Sequence, residues 1–156
     1  MSITNGNDLI TLADNIGLEL PCVITLPTID DADEYNNILI NNDFHWTALM
    51  IRGKKAYYND SYGRDPPPTV VKYVQKRGCI VFQFGNKQIQ DDTSQDCGWF
   101  TIHFFSFMQR YRYNFMWYFN QFPSKRLEDN DRVLVKYFRK LQETHPFHYN
   151  RSNYDH

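Results

Sequence analysis

The chain has 156 residues, with 17 Lys and Arg against 18 Asp and Glu and a formal net charge of −1, so no strong field of one sign draws it to a polyanion or an anionic membrane. It is long enough to bury a core without a metal or disulfides, 17% of it is aromatic, and nothing in it demands a second domain. No apolar stretch reaches bilayer length, the polar start Met1-Ser2-Ile3-Thr4-Asn5-Gly6 is no signal peptide, and three scattered cysteines, Cys22, Cys79 and Cys97, argue for a reducing compartment over a disulfide framework.

Leu9, Ile10, Leu12, Ala13 and Ile16 recur at helical spacing between Asn7 as cap and Gly17 as stop, which predicts a helix over Asn7–Ile16. Pro27–Asn42 reads as an acidic loop followed by a short strand around Ile38-Leu39-Ile40. Trp46–Arg52 has the run of a central strand, Gly53-Lys54 a turn, and Lys55–Asp60 the return strand of a hairpin. After Pro66-Pro67-Pro68, Thr69–Arg77 reads as a helix closed by Gly78, and Cys79–Phe84 as another strand. Gly98–Met108 is apolar and free of Pro for longer than a strand needs, which predicts a buried helix opening at Cys97, capped by Ser94 or Asp96. Gln109–Arg126 interleaves cationic and aromatic residues without an acidic one. Single-stranded nucleic acid binders use that pattern, but in a chain of near-neutral charge it is read as core and surface packing. Asp131–Glu143 sets Val133, Leu134, Tyr137, Phe138 and Leu141 on one side behind an Asn130 or Asp131 cap, and the polar tail from His145 is expected to be poorly ordered over its last ~8 residues. There are no repeats, no Cys/His spacing of a zinc site and no phosphate-loop pattern, so no metal or cofactor is called for.

The segment from Gln90 to Phe100, taken with His45-Trp46 and Asn59-Asp60-Ser61-Tyr62-Gly63, holds the parts that thiol catalysis needs. A cysteine attacks as its thiolate, a form favoured beside an imidazolium or at a helix N-terminus, and Cys97 has both within reach. Ser94 or Asp96 as cap would leave the Cys97 amide free to face a substrate oxygen, and Gly98 keeps bulk away from an incoming peptide. The hairpin brings its open ends together, so His45 and Asp60 meet at one edge of the sheet, where the carboxylate orients the imidazole; Asn59 is an alternative orienting group.

The order His-Trp, Tyr-Tyr-Asn-Asp-Ser-Tyr-Gly, Pro-Pro-Pro and Gln-x6-Cys-Gly resembles the adenovirus protease (adenain) type of cysteine protease, found in adenoviruses, virophages, large DNA viruses and related virus-like transposons, and more distantly the SUMO-specific proteases. The resemblance covers most of the chain. It implies His45 as general base, Asp60 as its orienting acid, Cys97 as nucleophile, and Gln90 with the Cys97 amide as oxyanion donors. Gln90 stands seven positions before Cys97, as in the viral branch, while an aspartate in Asn-Asp-Ser is nearer the SUMO-protease pattern. Trp46 looks like the tryptophan that in this family covers the channel for substrate residues before the scissile bond, implying small residues, Gly above all, near the cut; a core tryptophan on the sheet is the equal alternative. Cys79 is similar in position to the cysteine through which the adenovirus enzyme joins an activating peptide, and that enzyme is also helped by DNA.

The expectation is therefore one α+β cysteine-protease domain over residues 1–156: a mixed sheet flanked by helices, the nucleophile at the N-terminus of a buried helix, and His45 and Asp60 at the sheet edge. Its expected work is maturation cleavage of viral structural or capsid precursors, inside the infected cell's cytoplasm or nucleus and packaged in virions, with no membrane partner. A deubiquitinase or SUMO-type protease is the nearer alternative, and a noncatalytic capsid or peptide-binding module keeping the fold the other.

Overall fold

The computed structural model of the chain describes residues 5–92, 94–122 and 126–144, with side chains to Leu141. The tail from His145 lies outside the described residues. The elements in chain order are α1 (Gly6–Asn15), β1 (Cys22–Thr25), β2 (Asn37–Asn42), β3 (His45–Arg52), β4 (Lys55–Asn59), α2 (Pro68–Lys76), β5 (Val81–Phe84), α3 (Cys97–Arg110), α4 (Phe115–Asn120) and α5 (Asn130–Thr144), with 3-10 turns at Leu26–Ala32 and Leu127–Asp129.

The five strands lie side by side in sequence order, β1-β2-β3-β4-β5, with β1 parallel to β2, antiparallel pairings through β3 and β4, and β5 parallel to β4. The sheet is covered on both faces, which explains why β3 reads as a continuous apolar run and not as an alternation. Leu39, Trp46, Ala48, Met50 and Tyr57 face α1, α3, α4 and α5 on one side; Ile38, Ile40, Leu49, Ile51, Ala56 and Tyr58 face Val70, Tyr73 and Val74 of α2 and the Leu26–Ala32 turn on the other. Successive strand residues point to opposite faces, so one strand supplies both cores. The expected mixed α+β sheet between helices is what the chain forms.

Helix α3 is buried on nearly every side, from Cys97 and Gly98 through Phe100–Met108, as a helix apolar all round must be. His103 sits fully buried in this layer, against the rings of Phe107, Tyr118, Phe122, Tyr137 and Phe138, and burial drives its pKa down to about 3, so it packs as a neutral ring. Phe115, Tyr118, Phe119 and Phe122 of the basic and aromatic stretch are likewise buried, while Met116 and Trp117 face outward.

Several local readings are corrected. Helix α1 is capped by Asn5, whose side chain accepts from Asp8 N–H at 2.9 Å, and not by Asn7. Strand β1 went unread, because four residues between Pro21 and Pro27 are too few for a period to show. The strand predicted from Cys79 begins at Val81, leaving Cys79 in the connection after α2. His45 and Asp60 lie at the strand ends of the central pair, not at a lateral edge, since β3 is the middle strand of the five.

Gly53 and Gly63 both have positive φ, +60° and +78°, but differ in surroundings: a Cβ on Gly53 meets nothing within 4 Å, whereas one on Gly63 would lie 2.7 Å from the Gln88 backbone nitrogen. An alanine in left-handed geometry costs about 1–2 kcal/mol. Gly53→Ala is therefore expected to lose about 1 kcal/mol in urea unfolding, and Gly63→Ala clearly more, because the 87–90 segment must also move; equal losses would refute the close approach.

Candidate active site

Asp60 follows the last residue of β4, and Asn59 pairs with Ala48 of β3, so the carboxylate emerges beside the start of β3, where His45 stands. His45 Nε2 and Asp60 Oδ1 are 2.8 Å apart, with both side chains mostly shielded. Asp60 accepts further from Tyr62 N–H at 2.9 Å through Oδ1 and from Arg64 Nε at 3.0 Å through Oδ2. Burial alone would raise its pKa, but the bonds and charges of His45, the Tyr62 amide and Arg64 hold it below the ordinary carboxyl value. Asn59 is buried and its Oδ1 has no partner among the described residues, and the carboxylate of Asp60 is the group that bonds His45.

The imidazole stacks on Tyr62, ring centroids 4.6 Å apart. With Nε2 held by Asp60, Nδ1 is the nitrogen left for the thiol. Burial pushes the His45 pKa down, yet the bonds and charges of Asp60 and then of Cys97 raise it to about 9. Cys97 is the first residue of α3, so its N–H is one of the donors that a helix cannot satisfy internally, and the partial positive charge of the helix start favours an anion there. Asp96 occupies the cap position without a side-chain capping bond; its own N–H donates to Ser94 Oγ at 3.2 Å. Ser94 and Asp96, the two residues proposed for the cap, thus bond to each other across the helix start.

Gln90 is fully buried beneath this cleft and tightly held. Its backbone N–H donates to Ser61 C=O at 2.9 Å, Ser61 Oγ donates to its Oε1, and its Nε2 donates to Ser94 C=O at 2.9 Å. One N–H of the carboxamide is used in that last bond, and Gln90 itself is not among the residues that line the cleft.

A cleft of about 370 Å³ is lined by Asp43, Phe44, His45, Trp46, Tyr62, Ser94, Gln95 and Cys97. Trp46 is both core and wall, 4% exposed and packed in the α3 layer while lining the cleft. Gly98 is buried in the first turn of α3, its C=O accepting from Thr101 Oγ1, and is not a wall of the cleft. Cys79 stands apart: its Sγ lies 3.9 Å from Gly53 C=O at the far end of the hairpin, and seven strand steps from His45 to Arg52 span about 23 Å. Burial raises its thiol pKa.

Four contributors were not assigned roles in the sequence: Ser61, Tyr62, Arg64 and Phe44. The first three follow Asp60 in one turn, where only the turn's closure shows which of them reach the site. Phe44 is 94% exposed and sits with Asp43 at positive φ, +68° and +56°, in the two-residue turn joining β2 to β3. Such turns ordinarily signal themselves through Asn-Gly or Asp-Gly, and Asp-Phe gives no such signal.

Among the described residues no cluster of three or more His, Cys, Asp or Glu is arranged to hold a metal, and no helix is long and apolar enough to cross a membrane. No family model and no curated protein matches the chain. Among solved structures the chain is similar to the ASFV pS273R protease, 21% identical over 44% of this chain and 31% of that one, with a TM-score of 0.37. It is also similar to ChlaDub1 from Chlamydia trachomatis, 14% identical over 91% of this chain and 80% of that one, with a TM-score of 0.49. The chain spans about a third of the ASFV protease it matches. These likenesses are of fold, and the chemistry rests on the geometry above.

The pair His45–Asp60 makes stability depend on pH. The folded value of His45, about 9, lies above the ordinary 6.5, so its contribution is complete below pH 6.5 and is lost as pH rises toward 9. Asp60 is depressed below the ordinary 3.8, so its contribution is present above that value and is lost in acid. The stability difference between wild type and His45→Gln, from urea unfolding, should shrink by about 1–3 kcal/mol between pH 5.5 and 9.5; a constant difference would refute the paired imidazolium.

Proposed function

We propose that the chain is a cysteine endopeptidase in which Cys97, His45, Asp60 and Gln90 act as nucleophile, general base, orienting acid and oxyanion donor. The observation that carries this reading is the 2.8 Å bond of His45 Nε2 to Asp60, which leaves the other ring nitrogen for a cysteine that opens a buried helix and lines the same cleft. In the resting pair Nδ1 already holds the proton taken from the thiol, so sulfur attacks the peptide carbonyl carbon as thiolate, and the oxygen, now negative, is met by the Cys97 N–H and the Gln90 carboxamide. The C–N bond then breaks as His45 returns the proton to the leaving amine. Water, deprotonated in turn by His45, opens the thioester and frees the thiol.

The substrate is proposed to be a viral structural or capsid precursor, cut beside small residues, with the enzyme working inside the infected cell and carried in virions. Support for small residues comes from the three rings, of Trp46, Tyr62 and His45, that line the cleft. Joining of an activating peptide to Cys79, and help from DNA, rest on the sequence resemblance alone.

In a panel of Gly-containing peptides and ubiquitin- and SUMO-type C-terminal probes, wild type is expected to cleave the peptides, and Cys97→Ala to lose at least about 10⁴-fold in kcat. Reaction with the ubiquitin-like probes alone would replace the precursor reading by a deubiquitinase one, and peptide cleavage surviving in Cys97→Ala would refute the nucleophile.

Phe44 supplies an exposed aromatic surface at the mouth of the cleft, and a bulky residue at positive φ with almost no packing is a strain that a substrate contact would explain. Phe44→Gly should stabilise the free protein by about 1 kcal/mol and raise KM at least about fivefold. A stabilised variant with unchanged KM would remove Phe44 from the substrate site.

A further inference from the structure

Helix α5 lines no part of the cleft, yet a chain of bonds runs from it to the oxyanion donor. Ser94 Oγ donates to Asp131 Oδ2 at 3.3 Å and accepts from Asp96 N–H at 3.2 Å, so the hydroxyl joins α5 to the residue just before the nucleophile. The Ser94 carbonyl accepts from Gln90 Nε2 at 2.9 Å and from Tyr62 O–H at 3.3 Å, and Tyr62 is the ring on which His45 stacks. One residue thus meets the neighbours of the base, the nucleophile and the oxyanion donor. Its position along the 91–96 loop depends on what its side chain holds.

That anchor lies against a second carboxyl. Asp131 Oδ1 is buried with no donor among the described residues, and the carboxyl facing it is that of Asp96, 6% exposed. Burial followed by the contact with Asp131 raises the Asp96 pKa to about 7.

We propose that Asp131 is a positioning residue for the oxyanion hole: through Ser94 it sets the carbonyl against which the Gln90 carboxamide is aimed. The proposal rests on the cysteine-protease reading above. The role is remote from bond breaking, so it concerns stabilisation of the tetrahedral oxygen and not substrate affinity or formation of the thiolate.

Three readouts separate these. Peptide hydrolysis gives kcat and KM; a peptide aldehyde, whose hemithioacetal oxygen sits where the oxyanion forms, reports the hole; alkylation of Cys97 by iodoacetamide reports the thiol and His45 without it. Asp131→Ala and Ser94→Ala are each expected to lower kcat and aldehyde affinity about 10- to 100-fold, with KM and the alkylation rate within about twofold of wild type. Asp131→Asn should retain most activity, because its carboxamide can accept from Ser94 and donate to an ionised Asp96. In a Gln90→Ala background the Asp131→Ala loss should vanish, since the group it aims is gone.

An undiminished loss in that background, or a parallel fall in alkylation rate and thermal stability in both alanine variants, would overturn the proposal in favour of a purely structural contact. If wild-type Cys97 is alkylated no faster than Cys22 and Cys79 and no peptide is cut, the protease reading itself fails and the proposal falls with it.

Discussion

Two histidines in this chain share a fate up to one interaction. His45 and His103 are both shielded from water, and in both, burial is the largest influence and opposes the charged form. His103, among aromatic rings and without an anion, falls to about 3; His45, on Asp60 and facing Cys97, rises to about 9. The bond from His45 Nε2 to Asp60 Oδ1 is what separates a charged ring from a packing one, and it leaves Nδ1 as the nitrogen not held by the carboxylate. Most of the fold around the cleft follows from the need to keep that carboxylate charged in a shielded place. Asp60 meets the need with three donors, His45, the Tyr62 amide and Arg64, so that its desolvation is offset by direct bonds.

A large part of this was legible before any coordinates. The β3–β4 hairpin announced itself through Gly53 and two apolar strands, and a hairpin of fixed length leaves little freedom in where His45 and Asp60 end up. The helix after Cys97 was equally plain, because an apolar run of that length has no other stable form. What stayed hidden depended on closure in three dimensions. Strand β1 is too short to show a period and is specified by pairing with β2. The β2–β3 turn uses Asp43-Phe44 where glycine or asparagine would be favoured locally, so local chemistry argued against the turn that tertiary structure imposes. Gln90 was chosen by spacing among neighbouring glutamines; Gln88 in fact bonds Gln90 C=O and Asp92, Gln95 lines the cleft, and Gln90 alone of the three is locked by Ser61 and Ser94.

Strain and exposure gather on one rim of the cleft. Asp43 and Phe44 occupy left-handed backbone, and Phe44 leaves its ring in solvent, a combination that adds nothing to folding. The opposite wall is cooperative: Ser94 and Gln95 belong to a loop tied to α5, to Tyr62 and to Gln90. The cleft therefore has Ser94 and Gln95 on a loop held by many bonds, and Asp43 and Phe44 on a two-residue turn.

The turn from Asp60 to Gly63 resolves a difficulty that any site assembled from distant segments faces. His45 and Asp60 come from the hairpin, Gln90 and Cys97 from the segment some 30 to 50 residues later, and a relative shift of an ångström would separate them. Within four residues the turn addresses both halves: Asp60 holds His45, and Ser61 holds Gln90 by its carbonyl and its hydroxyl together. Gly63 lets the backbone close onto Gln88 at a distance that no side chain would permit. Orientation of His45 and placement of Gln90 thus both depend on one short turn, so a displacement of the turn moves both together and the two halves of the cleft keep their register.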